Sequence, residues 1–179
     1  MRPKDEIRDE ASGEPDGLAR LSVRQKICLI AGAVLLVDFI TKQIMLDWIF
    51  YPPLRVEVLP FLNFVPVWNP GISFGMLTTD GMLVPVLLTV LAIAVAVWLI
   101  WKAPRFHRFE RMGAGLIAGG AVGNALDRIR FGKVVDFIDV FVQTWGLHWP
   151  AFNIADAAIT IGALLWFYSI LAERETEAS

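Results

Sequence analysis

Long apolar runs alternate with short charged stretches along this chain, and the runs have the length of membrane spans. Residues 81–101, GMLVPVLLTVLAIAVAVWLIW, hold 21 positions without a charge. At about 1.5 Å per residue they reach about 31 Å, the thickness of a bilayer core. Residues 151–172 form a second run whose only charge is Asp156, and residues 27–50 form a third, interrupted by Asp38, Lys42 and Asp47. A fourth segment, MGAGLIAGGAVGNAL (112–126), is too short alone. It crosses only if Asn124, Asp127 and Arg128 lie within the far side of the membrane, which extends it to about residue 130. The pattern predicts a membrane all-α protein with four transmembrane helices, at about 27–50, 81–101, 112–130 and 151–172, in one domain covering 27–172. Between the first two spans, LRVEVLPFLNFVPVWN alternates in places and is rich in Val and Phe, with Pro60 and Pro66 as interruptions. That stretch predicts short strands in a small sheet at the membrane surface.

Composition strengthens the membrane assignment: 56% of residues are hydrophobic, above the 45–50% usual for soluble domains. The totals of 16 basic and 18 acidic residues give no reason to expect a nucleic-acid partner, but their placement orients the chain. Arg20, Arg24 and Lys26 precede the first span, and Lys102, Arg105, Arg108 and Arg111 lie between the second and third. The positive-inside rule puts both clusters and both termini in the cytoplasm, with 51–80 and 129–150 outside. Residues 1–26 mix six basic and six acidic side chains with Pro and Gly, which predicts a disordered cytoplasmic tail. Residues 173–179 make a short C-terminal tail on the same side. Single Cys28 excludes an intrachain disulfide, and its apolar surroundings predict a buried, inert thiol. Trp145, His148 and Trp149 in the last outer loop predict an aromatic belt at headgroup level.

With the orientation fixed, depth follows by counting. Asp38 and Lys42 fall roughly 18 and 24 Å past Lys26, and Asp127 roughly 22 Å past Met112, on a helical rise. Asp156 enters from outside only five residues past Ala151, and Asp136 falls at the outer interface. The polar groups therefore collect in the outer half. Asp38 and Lys42 are at i,i+4 spacing and suit an ion pair; Asp127 and Arg128 predict another. Gly120, Asn124, Asp127 and Arg128 share a helix face, as do Asn153 and Asp156. Gly115, Gly119 and Gly123 form a stripe that close helix packing explains without a ligand.

Asp136 and Asp156 lack a basic neighbour at helical spacing, apart from Lys133. Two carboxylates brought together without a cation share a proton, so that one serves as a base for water and the other as an acid for a carbonyl. Asp139 is the alternative to Asp136 in that pair, and a plain interfacial charge otherwise. GISFG (71–75) matches the G-x-S-x-G pattern around Ser73, but the motif needs a strand–turn–helix elbow and a later His. It reads as accidental, with a Ser73/Lys42 pair as the minor alternative. Two His, one Cys and scattered acids offer no metal-ligand set, and no cofactor is implied.

VDFITK, NPGISFG, GGAVGNALDRIRFGKVVDFIDV and FNIADAAITIG, in that order over residues 37 to 162, resemble the motif blocks of lipoprotein signal peptidase, the bacterial signal peptidase II family. The resemblance implies a four-helix membrane aspartyl protease with a small outer β-cradle in the bacterial inner membrane. It implies a lipid-modified prolipoprotein as substrate, cut just before a diacylglyceryl-modified Cys, and a monomeric enzyme in contact with membrane lipid. Carried over by motif, the catalytic pair is Asp136 and Asp156. Asp38, Lys42, Asn69, Gly71, Asn124, Arg128 and Asn153 match supporting or substrate-binding positions, and Asp127 the structural acid. The charged N-terminal tail lies outside these blocks.

Two readings from other classes compete. A proton-coupled transporter also holds intramembrane acids, but it predicts paired repeats with broken helices, which the chain lacks. A structural membrane subunit leaves the unpaired acids unexplained. The topology is testable by reporter fusions: those after Ala103 are expected to report cytoplasm, and those after Asn63 or Gly146 the outer side. A reversal at those points would move the whole site to the other face.

Overall fold

The computed structural model describes residues 21–71, 83–142 and 146–177. Among them the order is α1 (Val23–Ile49), β1 (Val56–Leu59), β2 (Leu62–Asn69), α2 (Leu83–Lys102), α3 (Arg108–Phe131), β3 (Val134–Val142), β4 (Leu147–His148) and α4 (Ile154–Glu177). Ser73 and Trp145 lie outside the described residues. Ser22 starts α1 through a capping box with Gln25, so residues 23–26 belong to the helix rather than to the preceding tail. At the other end α4 runs to Glu177, through most of the stretch read as a C-terminal tail.

Among the described residues, three helices are long and apolar enough to cross a membrane: Val23–Ile49, Leu83–Arg105 and Ile154–Ala172. The fourth expected span is corrected accordingly. Helix α3 matches the others in length, with 24 residues, but its ends carry Arg108, Glu110, Arg111, Asp127, Arg128 and Arg130, and its middle is mostly glycine and alanine. It packs against each of α1, α2 and α4, which touch one another far less. Large apolar side chains such as Leu36, Ile40, Val90, Val97, Leu164 and Phe167 point outward from those three helices. Cys28 is also on the outside of α1, not buried as expected.

Small residues on α3 set the approach of its neighbours. The stripe Gly115, Gly119 and Gly123 faces α1: added Cβ atoms would come within 2.8 Å of Ile30, 2.6 Å of the Ala31 carbonyl and 2.6 Å of Asp38 Oδ2. Gly120 faces α4, where a Cβ would collide with the carbonyl oxygen of Ala155. Backbones therefore meet directly, as small-residue interfaces allow in membranes.

The sheet is antiparallel in the order β1-β2-β3-β4. The strands expected in 51–80 are present, whereas β3 lies in 129–150, where only an outer loop is expected. Gly132 makes β3 possible. It closes α3 in the left-handed region (φ 71°), donating its N–H to the Arg128 carbonyl, and turns the chain straight into the sheet. The β2–β3 register shifts between Phe64 and Val67, so Pro66 lies in a bulge where its missing N–H costs no regular ladder bond. Val135 and Phe137 on one face of β3 pack with Met45, Leu46, Ile49 and Phe50 at the end of α1.

Gly120→Ala is expected to destabilise the protein by about 1–3 kcal/mol, because the atom an added Cβ meets first is a backbone carbonyl oxygen of α4 that cannot swing aside. Gly32→Ala is the control: nothing lies within 4 Å of its added Cβ. Thermal unfolding in detergent should separate the two, and equal midpoints would show that the α3–α4 contact is not tight.

Candidate active site

The polar residues meet where α1, α3, β3 and the start of α4 converge. The expected Asp38–Lys42 pair forms, at 2.8 Å. The expected Asp127–Arg128 pair does not, because adjacent helical residues project about 100° apart. Asp127 instead binds Lys42 at 2.9 Å. Lys42 Nζ also donates to Asn124 Oδ1 at 3.1 Å, so all three ammonium protons have acceptors. The lysine side chain is 2% exposed, and its partners are correspondingly dry. Asp127 Oδ2 accepts the Val135 N–H at 3.1 Å, and Asp38 Oδ1 accepts the Ala155 N–H at 2.9 Å. The latter contact satisfies one of the free donors at the α4 N-terminus.

Asn153 organises both predicted acids. Its side chain accepts from Asp156 N at 2.9 Å, while Asp156 Oδ2 accepts from Asn153 N at 3.2 Å. This reciprocal cap begins α4 and fixes the Asp156 rotamer. The same Asn153 amide donates to Asp136 Oδ1 at 2.7 Å and to Asn124 Oδ1 at 3.2 Å. Asn124 Nδ2 donates in turn to Asp156 Oδ1 at 2.7 Å. Asn69 completes the shell: its Oδ1 accepts the Gly71 N–H at 2.8 Å, which aims its Nδ2 at Asp136 Oδ2, also 2.8 Å away. Gly71 has φ 93°, a left-handed conformation that favours glycine, and a Cβ there would meet Leu88 Cδ1 at 2.6 Å.

Asp136 is fully buried. Burial pushes its carboxyl up, hydrogen bonds from Asn69 and Asn153 oppose that, and the charge of Asp156 adds to it, leaving it at about 6. A carboxyl held there near a second acid suits proton transfer close to neutral pH. Lys133, the one basic residue near it in sequence, lies over the Trp68 ring instead, 4.9 Å from its centroid. Arg128 donates from Nη1 to the Asn124 carbonyl at 3.3 Å, and its buried Nε has no hydrogen-bond partner.

Asp139 is three residues beyond Asp136 on a strand, so it points to the other face of β3. There it receives Asn63 Nδ2 at 3.0 Å and His148 Nδ1 at 2.9 Å, with Arg55 3.8 Å away. Burial pushes Asp139 up, but the hydrogen bonds from His148 and Asn63 and the charges of His148 and Arg55 outweigh it and hold the carboxyl below its ordinary value. The sequence placed His148 only in an aromatic belt and passed over Asn63 and Arg55. Their grouping depends on the β2–β3 and β3–β4 registers, for which local sequence carries no signal.

This arrangement has relatives. Residues 30–172 match the family described as signal peptidase (SPase) II. The chain is 39% identical over 145 residues to a lipoprotein signal peptidase of Janthinobacterium sp. (strain Marseille), covering 79% of this chain and 86% of the relative. It is 33% identical over 153 residues to one from Desulforapulum autotrophicum, covering 83% and 93%. A solved bacterial membrane enzyme, determined by the in meso method at 2.3 Å, superposes with a TM-score of 0.70 at 30% identity, covering 85% of this chain and 91% of that one. The chain therefore belongs to the signal peptidase II family, a family of membrane aspartic peptidases.

Proposed function

We propose that this protein removes signal peptides from prolipoproteins by hydrolysing the peptide bond before a diacylglyceryl-modified Cys, with Asp136 and Asp156 as the reacting pair. The observation that carries the reading is Asn153, which contacts Asp136 through its side-chain amide and Asp156 through its backbone and side chain. The pair holds one proton and one negative charge. The charge belongs on Asp156, in the first turn of α4, where the helix dipole favours an anion. The proton belongs on the buried Asp136. Asp156 takes a proton from water as the hydroxyl attacks the scissile carbonyl carbon, and Asp136 gives its proton to the carbonyl oxygen. As the tetrahedral intermediate collapses, the C–N bond breaks and the leaving amine takes the proton from Asp156. The remaining hydroxyl returns a proton to Asp136, which restores the starting state. Both carboxyls act by proton transfer alone, so the scheme calls on no metal or cofactor.

The membrane placement is part of the same reading. Arg24 at the start of α1 donates to the Trp101 carbonyl at the end of α2, so the basic clusters gather at one end of the bundle, remote from the acids. With that end in the cytoplasm, the site opens at the outer face of the inner membrane and both termini lie inside. A substrate can then keep its acyl chains in lipid while its peptide reaches the sheet. The apolar outer surfaces of α1, α2 and α4 suit contact with lipid, and the protein works as a monomer because one chain carries both acids.

Asp136→Asn and Asp156→Asn are each expected to insert, fold and lose nearly all turnover, with the double variant little worse, because groups acting as a unit are not additive. Asp139→Asn and Ser73→Ala should retain substantial activity in the same cleavage assay. Normal cleavage by both dyad variants would end the aspartyl mechanism, and a dead Asp139→Asn beside an active Asp136→Asn would reassign the acid.

Lipid dependence is a separate expectation. A precursor lacking its diacylglyceryl group should be cut poorly, measured by release of the signal peptide from matched substrates. Equal rates would leave only a general membrane protease.

A further inference from the structure

Asn153 touches both acids, and the chain that leads into it lies along β3 on few backbone bonds. Strand β4 is only Leu147 and His148, both exposed. Trp149 N donates to the Val140 carbonyl at 2.8 Å, but Pro150 has no N–H with which to continue the ladder. Pairing resumes at Phe152, which exchanges bonds with Ile138 and also accepts the Phe137 N–H. From Trp149 to Phe152 the returning chain takes one step more than β3 does from Val140 to Ile138, so it bulges at Pro150 and Ala151. Backbone pairing alone holds this edge loosely.

His148 adds a side-chain hold. It pairs with Phe141 and stacks on that ring, with centroids 5.2 Å apart and planes at 14°. This places it diagonally across from Asp139 on the same face of the sheet, with Nδ1 2.9 Å from Asp139 Oδ1. An ionised carboxylate only accepts, so Nδ1 carries the hydrogen. Asp139 is itself anchored from the other side, by Asn63 Nδ2 of β2 at 3.0 Å and by the Arg55 guanidinium 3.8 Å away. We propose that His148 is a positioning residue for the hydrolysis: by clasping Asp139 it holds the edge of the sheet against β3 and keeps Asn153, and with it Asp156, in register with Asp136.

This rests on the proposed dyad and adds what keeps its two elements in step on the outer side. His148 and Asp136 lie on opposite faces of the sheet, so the histidine acts only through Asp139 and the chain it holds. The clasp also gives Asp139 a role that does not need its charge. Asn at that position keeps an oxygen to accept from Nδ1, in keeping with the activity expected of Asp139→Asn.

The test uses the full-length enzyme in lipid with a diacylglyceryl-modified prolipoprotein, reading kcat and KM per folded enzyme and the thermal midpoint. His148→Phe keeps a ring over Phe141 and removes the donor. It is expected to lower kcat about 10-fold with KM unchanged, part of what an ångström-sized misplacement costs. His148→Asn loses the ring but keeps a donor nitrogen bonded to Cγ, as Nδ1 is, and should restore most of the lost kcat. A brace that merely stabilises the sheet would lower the midpoint and leave kcat per folded enzyme unchanged.

Wild-type kcat in folded His148→Phe overturns the proposal, as does a loss confined to KM. An Asn variant as slow as the Phe variant overturns it too, because the ring and not the hydrogen bond would then matter. If His148→Phe does not fold, the histidine serves stability alone and the proposal is equally overturned. Failure of the dyad reading is separately visible, because then the wild-type enzyme does not cut the precursor or Asp136→Asn remains active.

Discussion

The buried Lys42 ammonium is the constraint from which the rest of the site follows. Taking an ammonium out of water costs several kcal/mol unless it is paired and hydrogen-bonded. Here Asp38, Asp127 and Asn124 satisfy it completely. Two carboxylates around one cation leave excess negative charge, and the Ala155 and Val135 N–H groups offset part of it. Those same two donors tie down the beginnings of α4 and β3. An ionic core inside the bundle thereby becomes a frame for groups at its outer end.

That frame depends on how closely α1 and α4 can approach α3. Asp38 reaches the centre because Gly123 has no side chain in its way, and Ala155 comes close because Gly120 has none either. A helix that could pack this tightly had to surrender the large apolar side chains that lipid favours. Wrapping it in three strongly apolar helices resolves the conflict, because α3 then meets protein over most of its circumference. Asp127 and Asn124 at its polar end find their partners in protein rather than in lipid, which is the condition for charged structure near a membrane interior.

Asp136 and Asp139 illustrate how far environment separates two like groups. They are three positions apart on one strand and face opposite ways. Asp139 meets Arg55, Asn63 and His148, which hold its charge in place. Asp136 is fully buried, and burial, helped by the charge of Asp156, raises its carboxyl to about 6 against the hydrogen bonds from Asn69 and Asn153. One is a fixed anion bracing the sheet, and the other is poised to exchange a proton.

Much of this was legible along the chain. The three apolar spans, the Asp38–Lys42 spacing, the glycine stripe and the nearness of Asn153 to Asp156 all follow from helical geometry over a few residues; that Asn153 caps α4 instead of sharing its face came from the structure. Strands in 51–80 followed from alternation, but β3 did not, because VVDFIDVFV is nearly continuous in apolar residues and lacks a clear period. Only tertiary structure decided that Asp127 pairs with Lys42 instead of Arg128, since that contact joins two helices. The family motif favoured Asp136 over Asp139, but only the strand showed that the two face opposite ways. The sequence by itself determined which residues carry charge into an apolar chain and which helical neighbours they have. Which distant groups they meet was decided by packing and register, which are properties of the folded whole.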